Sequence, residues 1–193
     1  MLVVATSSVQ VEAQLAAGRF ACPACGGSLA RWGWAPVRTV RDVDGLGQVR
    51  LRRTRCRGCG RTHVLVPASL AARRRDSVEV IGQALALAAG GAGHRRIAAE
   101  LDRPPQTVRG WLRAARRGAQ ALRASGLRWL VALDCEPAPV AATGSALGDA
   151  VEALLLAVSA WVRRFGPDRG SGPWERAQSL TRGLLSPRPA LPP

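Results

Sequence analysis

The chain contains no lysine: its 28 basic groups are all arginines, set against 13 acids for a formal charge of +15. All-arginine usage is what a genome rich in G and C produces, so arginine identity does not by itself signal base reading. The imbalance does carry information, because it favours a polyanionic partner and a salt-dependent encounter. Long hydrophobic runs are also missing. No segment reaches the roughly 18 continuous apolar residues that a bilayer-spanning helix needs. The start, MLVVATSSVQVEAQLAAG, has no basic stretch ahead of its apolar residues and includes Glu12, which argues against a secretory leader. A cytoplasmic protein with reduced thiols and no membrane partner is therefore expected.

Carboxylates are scarce where an enzyme would gather them. Beyond residue 118 the acids are Asp134, Glu136, Asp149, Glu152, Asp168 and Glu175, spread over a linker, one helix and a Gly/Pro loop. No alternating strands would collect them for two-metal chemistry. A non-enzymatic protein is expected.

What is present is unevenly distributed. Residues 19–75 hold 13 arginines and only two acids, Asp42 and Asp44, whereas residues 119–193 hold eight arginines and six acids. The polyanion-binding surface is thus expected in the first two thirds of the chain.

Five cysteines form two CxxC pairs, Cys22-Pro23-Ala24-Cys25-Gly26-Gly27 and Cys56-Arg57-Gly58-Cys59-Gly60, with Cys135 left over. Each CxxC sets two thiolates on a tight knuckle whose backbone N–H groups can point at the sulfurs, and the glycine after it supplies the turn conformation. Two knuckles complete a tetrahedral four-sulfur site, and that donor set favours one structural Zn2+ held by Cys22, Cys25, Cys56 and Cys59. An iron–sulfur cluster fits less well, because nothing implies electron transfer, and a redox dithiol would leave one pair without a role. His63 is expected to be a strand residue near the site, and Cys135 an incidental small residue.

Between the knuckles, Trp32, Trp34, Val37, Val40, Val43, then Gly45 and Gly47, then Val49 and Leu51, predict two antiparallel strands around a turn. Ahead of the first knuckle, Val9 to Leu15 predicts one strand or a short helix. The stretch RLRRTRCRGCGRTH places Arg53, Arg55 and Arg57 on one side of an ideal strand and Arg50 and Arg52 on the other. With six arginines and no acid, backbone-phosphate contact is the expected use of Arg53, Arg55 and Arg57. Arg73, Arg74 and Arg75, between this module and the next, are candidates for tracking a minor groove or phosphates, or for a solvated junction.

Asp76 and Glu79 match a capping box, opening a helix through Val78, Ile81, Leu85 and Ala88 that ends at Gly90-Gly91. Residues 94–117, HRRIAAELDRPPQTVRGWLRAARR, then read as two short helices around a tight turn. Ile97, Ala98 and Leu101 share one face of the first, and Val108, Trp111 and Leu112 can close over them from the second. Asp102 tolerates a left-handed backbone, and Pro105 suits the first helical position. On the second helix, at about 105–117, Gln106, Arg109 and Arg113 face outward as candidate base readers. Thr107 is placed for a phosphate or a thymine methyl, and Arg95 and Arg96 for phosphates.

This stretch resembles the helix-turn-helix of bacterial transposases, resolvases and transcription regulators, with an "IA..LG.S..TV..WL" pattern matched by Ile97-Ala98-Ala99-Glu100-Leu101-Asp102 and Thr107-Val108-Arg109-Gly110-Trp111-Leu112. Asp102 stands where those families carry Gly, and Pro104 where they carry a capping Ser or Thr. Over residues 20–117 the chain also resembles actinobacterial proteins that join a zinc ribbon to such a unit, through Cys59-Gly60-Arg61-Thr62-His63-Val64-Leu65. The resemblance implies a small α+β protein, with a four-cysteine zinc ribbon followed by a homeodomain-like helical unit and further C-terminal helices. It implies double-stranded DNA as partner; the alternative is a zinc-stabilised protein-interaction module.

The rest of the chain reads as helical. Residues 119–133 continue the helices after a break near Gly126, and 134–144 form a linker. Residues 146–165 repeat Leu147, Val151, Leu154, Leu155, Val158, Trp161, Val162 and Phe165 on one stripe, capped by Ser145, which either packs internally or forms a homodimer. The expected divisions are 1–67, 68–133, 134–144, 145–185 with a last helix over 174–185, and a tail over 186–193.

Overall fold

The computed structural model describes residues 2–4, 8–134, 136–137, 139–167 and 172–185. Cys135 and the tail over 186–193 lie outside them. The chain divides into two compact units, Met1–Ser77 and Val78–Pro193.

The first unit carries β1 (Leu2–Val4), α1 (Ser8–Ala16), β2 (Leu29–Trp34), β3 (Arg38–Asp42), β4 (Gly45–Val49), β5 (Arg52–Cys56) and β6 (Thr62–Pro67). Four strands make one sheet in the order β1-β6-β5-β2, with β1 parallel to β6 and the other pairs antiparallel. β3 and β4 form a separate two-stranded hairpin turning before Gly45, whose φ is +122°. The segment between the knuckles thus holds four strands where the sequence predicts two. The turn at Gly45 belongs to the inner hairpin, while β2 reaches past it to pair with β5. A period-2 pattern marks which residues share a face, not which distant strand supplies the partner.

β6 shows what the alternation accomplishes. Leu65 and Val66 are both fully buried, but on opposite sides of the strand. Leu65 joins Val4, Val11, Leu15, Leu29, Cys22 and Cys56 in one core, with α1 and the cysteine knuckles. Val66 joins Val40, Leu51 and Leu70 in the other, beneath the hairpin.

The unit closes at Ser77, beyond the boundary expected at residue 67, because residues 70–77 are tied back onto the sheet system. Arg41 N–H donates to the Arg75 carbonyl (2.6 Å), and Ser77 N–H donates to the Arg41 carbonyl (2.9 Å). Asp76, expected as a helix cap, is buried and accepts from Arg41 Nη2 at 2.9 Å. Ser77 Oγ donates to Asp42 Oδ1 at 2.8 Å.

The second unit is a helical bundle: α2 (Val78–Ala89), α3 (His94–Glu100), α4 (Pro105–Arg117), α5 (Ala119–Leu133), α6 (Ala146–Phe165) and α7 (Pro173–Thr181). α5 runs unbroken through Gly126, contrary to the break expected there. A Cβ at Gly126 would lie 2.7 Å from the Ala153 carbonyl carbon, so the missing side chain lets the α5 backbone approach that of α6 closely here. Ala150, Ala153, Ala157 and Ala160 of α6, all buried, keep its inner face shallow. Gly82 of α2 makes similar room for the Trp174 indole of α7.

Ser145 caps α6, its hydroxyl accepting from Gly148 N–H at 3.0 Å. Leu147, Val151, Leu154 and Val158 are buried inside this unit, which leaves Val162 and Phe165 exposed from the apolar stripe. The expected linker is anchored at both ends: Asp134 accepts from Arg163 Nη2 at 2.6 Å, and Thr143 N–H donates to Asp149 at 2.7 Å. Among the described residues no helix is long and apolar enough to cross a membrane.

Candidate functional site

The two knuckles are built alike. Cys22 N–H donates to the Gly27 carbonyl and Gly26 N–H to the Cys22 carbonyl, both at 2.8 Å. In the second, Cys56 N–H donates to the Arg61 carbonyl (2.8 Å) and Gly60 N–H to the Cys56 carbonyl (3.1 Å). Gly26 and Gly60 close the turns at φ +72° and +71°, a left-handed backbone that glycine adopts without steric cost. Because β2 and β5 pair Leu29 with Cys56, the knuckles at the ends of these strands face each other.

All four sulfurs lie within 4.8 Å of one another and can surround one metal ion. Cys22 Sγ is 3.7 Å from Cys59 Sγ, and Cys25 Sγ is 3.4 Å from Cys56 Sγ. Gly58 and Cys59 N–H groups point at Cys56 Sγ from 3.3 and 3.5 Å. The Cys59 amide, helped by the Cys25 thiol and the Gly58 amide, pulls the Cys56 thiol down to about 6 despite its desolvation. At Cys25 the Gly27 amide pulls the same way, but the neighbouring thiols of Cys56 and Cys59 outweigh it and raise the group to about 11. Cys56 is thus the more readily ionised of the two and Cys25 the less, so metal binding here displaces a proton.

Two residues near the sulfurs complete the surroundings. His63 Nε2 lies 3.4 Å from Cys22 Sγ, and burial together with the Arg61 charge lowers its pKa, favouring the neutral ring. Gly27 was not singled out by the sequence reading. A Cβ there would stand 3.2 Å from Cys56 Sγ and 3.4 Å from Cys25 Sγ, and the signal for it was the second glycine of Cys25-Gly26-Gly27.

The ribbon arginines separate by face. Arg52 lies over the Trp34 ring with its Cζ 3.5 Å from the centroid, and its Nε donates to Glu12 at 2.5 Å. Arg31 shares that carboxylate at 3.2 Å. Arg53, Arg55 and Arg57 are exposed, while Thr54 and Cys56 between them are buried. Arg55 stacks over Trp32 at 4.7 Å and donates from Nε to the Gly60 carbonyl. Neither Trp32 nor Trp34 was singled out beyond its strand pattern, yet they are 52% and 41% exposed, where Trp111 is 1% exposed. Arg73, Arg74 and Arg75 are exposed in the turn ahead of α2, with Arg73 at φ +60°.

In the second unit, α3 ends in a tight hydrogen-bonded turn. Arg103 N–H donates to the Ala98 carbonyl (2.9 Å) and Asp102 N–H to the Ala99 carbonyl (3.3 Å), around Asp102 at φ +50°. These two bonds are the Schellman pattern with Asp102 at the left-handed position. Arg103 Nη1 adds bonds to the Leu101 and Asp102 carbonyls. α4 begins at Pro105 with no side-chain cap. It buries Val108, Trp111 and Leu112 against α2 and α3 and leaves Gln106, Arg109, Arg113, Arg116 and Arg117 exposed, with Thr107 half-buried. Arg95 and Arg96 are exposed on α3.

The chain is therefore a small α+β protein whose N-terminal strands bear a four-cysteine metal-binding cluster and whose C-terminal unit is a helical bundle. Residues 22–111, a little under half of the chain, match the model of a family described as a domain of unknown function (DUF6431). The match opens on the first cysteine, takes in both knuckles and reaches α4 at Trp111. No curated protein and no solved structure matches the chain.

Proposed function

We propose that this protein binds double-stranded DNA in the cytoplasm, as a transposase-related or regulatory DNA-binding protein that acts without catalysis. In this reading residues 94–117 act as a helix-turn-helix, with α4 in the major groove. The observation that carries it is the two-sidedness of α4: Val108, Trp111 and Leu112 are buried, and a helix with four arginines and no acid turns those arginines outward. Gln106, Arg109 and Arg113 are the base readers, because Gln pairs with adenine and Arg with guanine in a bidentate manner. In the uncapped first turn Pro105 has no N–H and the Thr107 and Val108 N–H groups donate to the Pro104 carbonyl, which leaves the Gln106 N–H for a phosphate. Arg53, Arg55, Arg57, Arg73, Arg74, Arg75, Arg95, Arg96 and Thr107 hold the backbone. One structural zinc ion sits among Cys22, Cys25, Cys56 and Cys59. A tetrahedral zinc–thiolate site has sulfur–sulfur edges of about 3.8 Å, close to the 3.4 and 3.7 Å separations of two of its pairs.

Selection of a preferred duplex from a random pool tests this reading. Arg109→Ala is expected to lower affinity for that duplex by about 1–3 kcal/mol and relax preference at one position. Arg53→Ala is expected to weaken selected and random duplexes alike and to flatten the salt slope by about one unit. An unchanged ratio of selected to random affinity in all of Gln106→Ala, Arg109→Ala and Arg113→Ala would rule out base reading by α4.

The competing reading is a zinc-stabilised protein-interaction module. It has in its favour the exposed Val43 and Leu46 at the hairpin turn. Flat salt dependence with no DNA retention would decide for it. A homodimer through residues 146–165 would have to use Val162 and Phe165, which α6 leaves uncovered.

A further inference from the structure

The two exposed tryptophans of the ribbon differ in their electrostatic surroundings. Arg31 pairs with Thr54, and Trp34 with Arg52, so the irregularity between them puts Trp34 on the face of Arg31 and Arg52. That face is partly neutralised, since Glu12 takes both guanidinium groups. Trp32 lies on the other face, with Arg53 and Arg55. There, Arg55 gives its Nε only to a neutral carbonyl, and neither Arg53, Arg55 nor Arg57 makes an ion pair among the described residues. The half-exposed Trp32 indole is thus set on an edge strand of the sheet, with one guanidinium over its ring and two more close by in sequence.

We propose that this Trp32 face binds single-stranded nucleic acid, the indole stacking on an unpaired base while Arg53, Arg55 and Arg57 hold the flanking phosphates. An exposed indole offers a π surface, and the partner that matches it is an unstacked base, which a duplex keeps between its neighbours. The uncompensated guanidinium groups supply charge complementarity to the strand and a salt-dependent affinity. The inference shares with the DNA-binding reading the polyanionic partner and the phosphate-holding Arg53, Arg55 and Arg57; it uses no residue of α4, and α4 does not depend on Trp32.

The test is equilibrium binding of the full chain, with its metal content checked, to labelled thymidine and uridine 12-mers and to a duplex at one fixed salt concentration. Trp32→Ala is expected to weaken single-strand binding about 5- to 150-fold, the equivalent of one lost stacked base. Trp32→Phe should restore it to within about threefold, and Arg109→Ala should leave it unchanged. Comparing the thymidine and uridine strands shows whether DNA or RNA is preferred. Equal single-strand affinity in the parent and Trp32→Ala would overturn the proposal, as would equal loss in Trp32→Phe and Trp32→Ala. Loss on Arg109→Ala would move the strand to α4 and overturn it too. So would a polyglutamate peptide that binds through Trp32 while the oligonucleotides do not, since the occupant would then be an acidic protein segment. Failure of any of these kinds alongside intact duplex selection leaves the α4 reading standing, and single-strand binding without duplex selection does the reverse.

Discussion

Gly110 and Gly126 both lie inside helices, so helix propensity alone predicts that alanine at either would stabilise the chain by about 0.8–1 kcal/mol. Their surroundings separate them. Nothing stands within 4 Å of a Cβ built on Gly110. At Gly126 the same atom would lie 2.7, 2.8 and 2.9 Å from Ala153 C, Ala153 O and Leu154 N. Those are backbone atoms of α6 and cannot rotate aside, so α5 and α6 must separate. Overpacking of this kind costs about 1–3 kcal/mol, and a gap of 0.5–1 Å along the crossing also forfeits a quarter to a half of each contact's dispersion energy.

The net expectation is a loss of about 1–2 kcal/mol for Gly126→Ala against a gain of up to about 1 kcal/mol for Gly110→Ala. The two variants should differ by roughly 6–15 °C in Tm for a unit of this size. Urea unfolding followed by circular dichroism at 222 nm, without DNA, measures both. Equal stabilisation by the two substitutions would refute the close crossing of α5 and α6 at Gly126.

Three further outcomes are expected. Cys56→Ser should release the metal from purified protein, as elemental analysis would show, and metal affinity in the parent should rise with pH from about 6 to 8. The sign follows from the thiols: as pH falls through about 6 Cys56 takes up a proton, and Cys25, at about 11, must surrender one to the metal throughout. Arg38→Met should leave stability unchanged or raise it by about 1–3 kcal/mol in denaturant titration, because Arg38 Nε and Nη2 are buried without hydrogen-bond partners and burial already lowers the pKa of that guanidinium. Asp102→Gly should stabilise the second unit by about 0.5–1 kcal/mol, since Asp102 holds φ +50° where glycine is at ease. A loss of stability in that variant would mean that the Asp102 side chain matters more than its backbone.

The features legible in the sequence are those whose causes lie within a few residues. A CxxC followed by glycine contains its own turn, and both knuckles adopt it. The left-handed residue between α3 and α4 could be read from Asp102-Arg103-Pro104-Pro105, because only a few residue types tolerate that backbone and proline tolerates only the start of a helix. The burial of Val108, Trp111 and Leu112 follows from 3.6-residue periodicity, and the cap of α6 from a serine just ahead of an apolar stripe. These are interactions that the chain makes with itself at short range.

Tertiary structure decided what depends on a partner far along the chain. Whether the residues after Cys25 fold back on one another or reach β5 is set by register between residues 18 to 27 positions apart, and alternation is silent on that choice. Gly126 looks like a helix breaker until α6 is laid against it; then the missing side chain is what allows the approach. Trp32 and Trp111 are the same residue type in equally apolar local company, yet one stands half in solvent beneath a guanidinium and the other is sealed in the bundle. Local sequence sets backbone preference and the face on which a side chain sits, whereas exposure and charge balance belong to whatever covers that face. For Arg52 that cover includes Glu12, 40 residues away, and for Arg53, Arg55 and Arg57 no acid among the described residues supplies it.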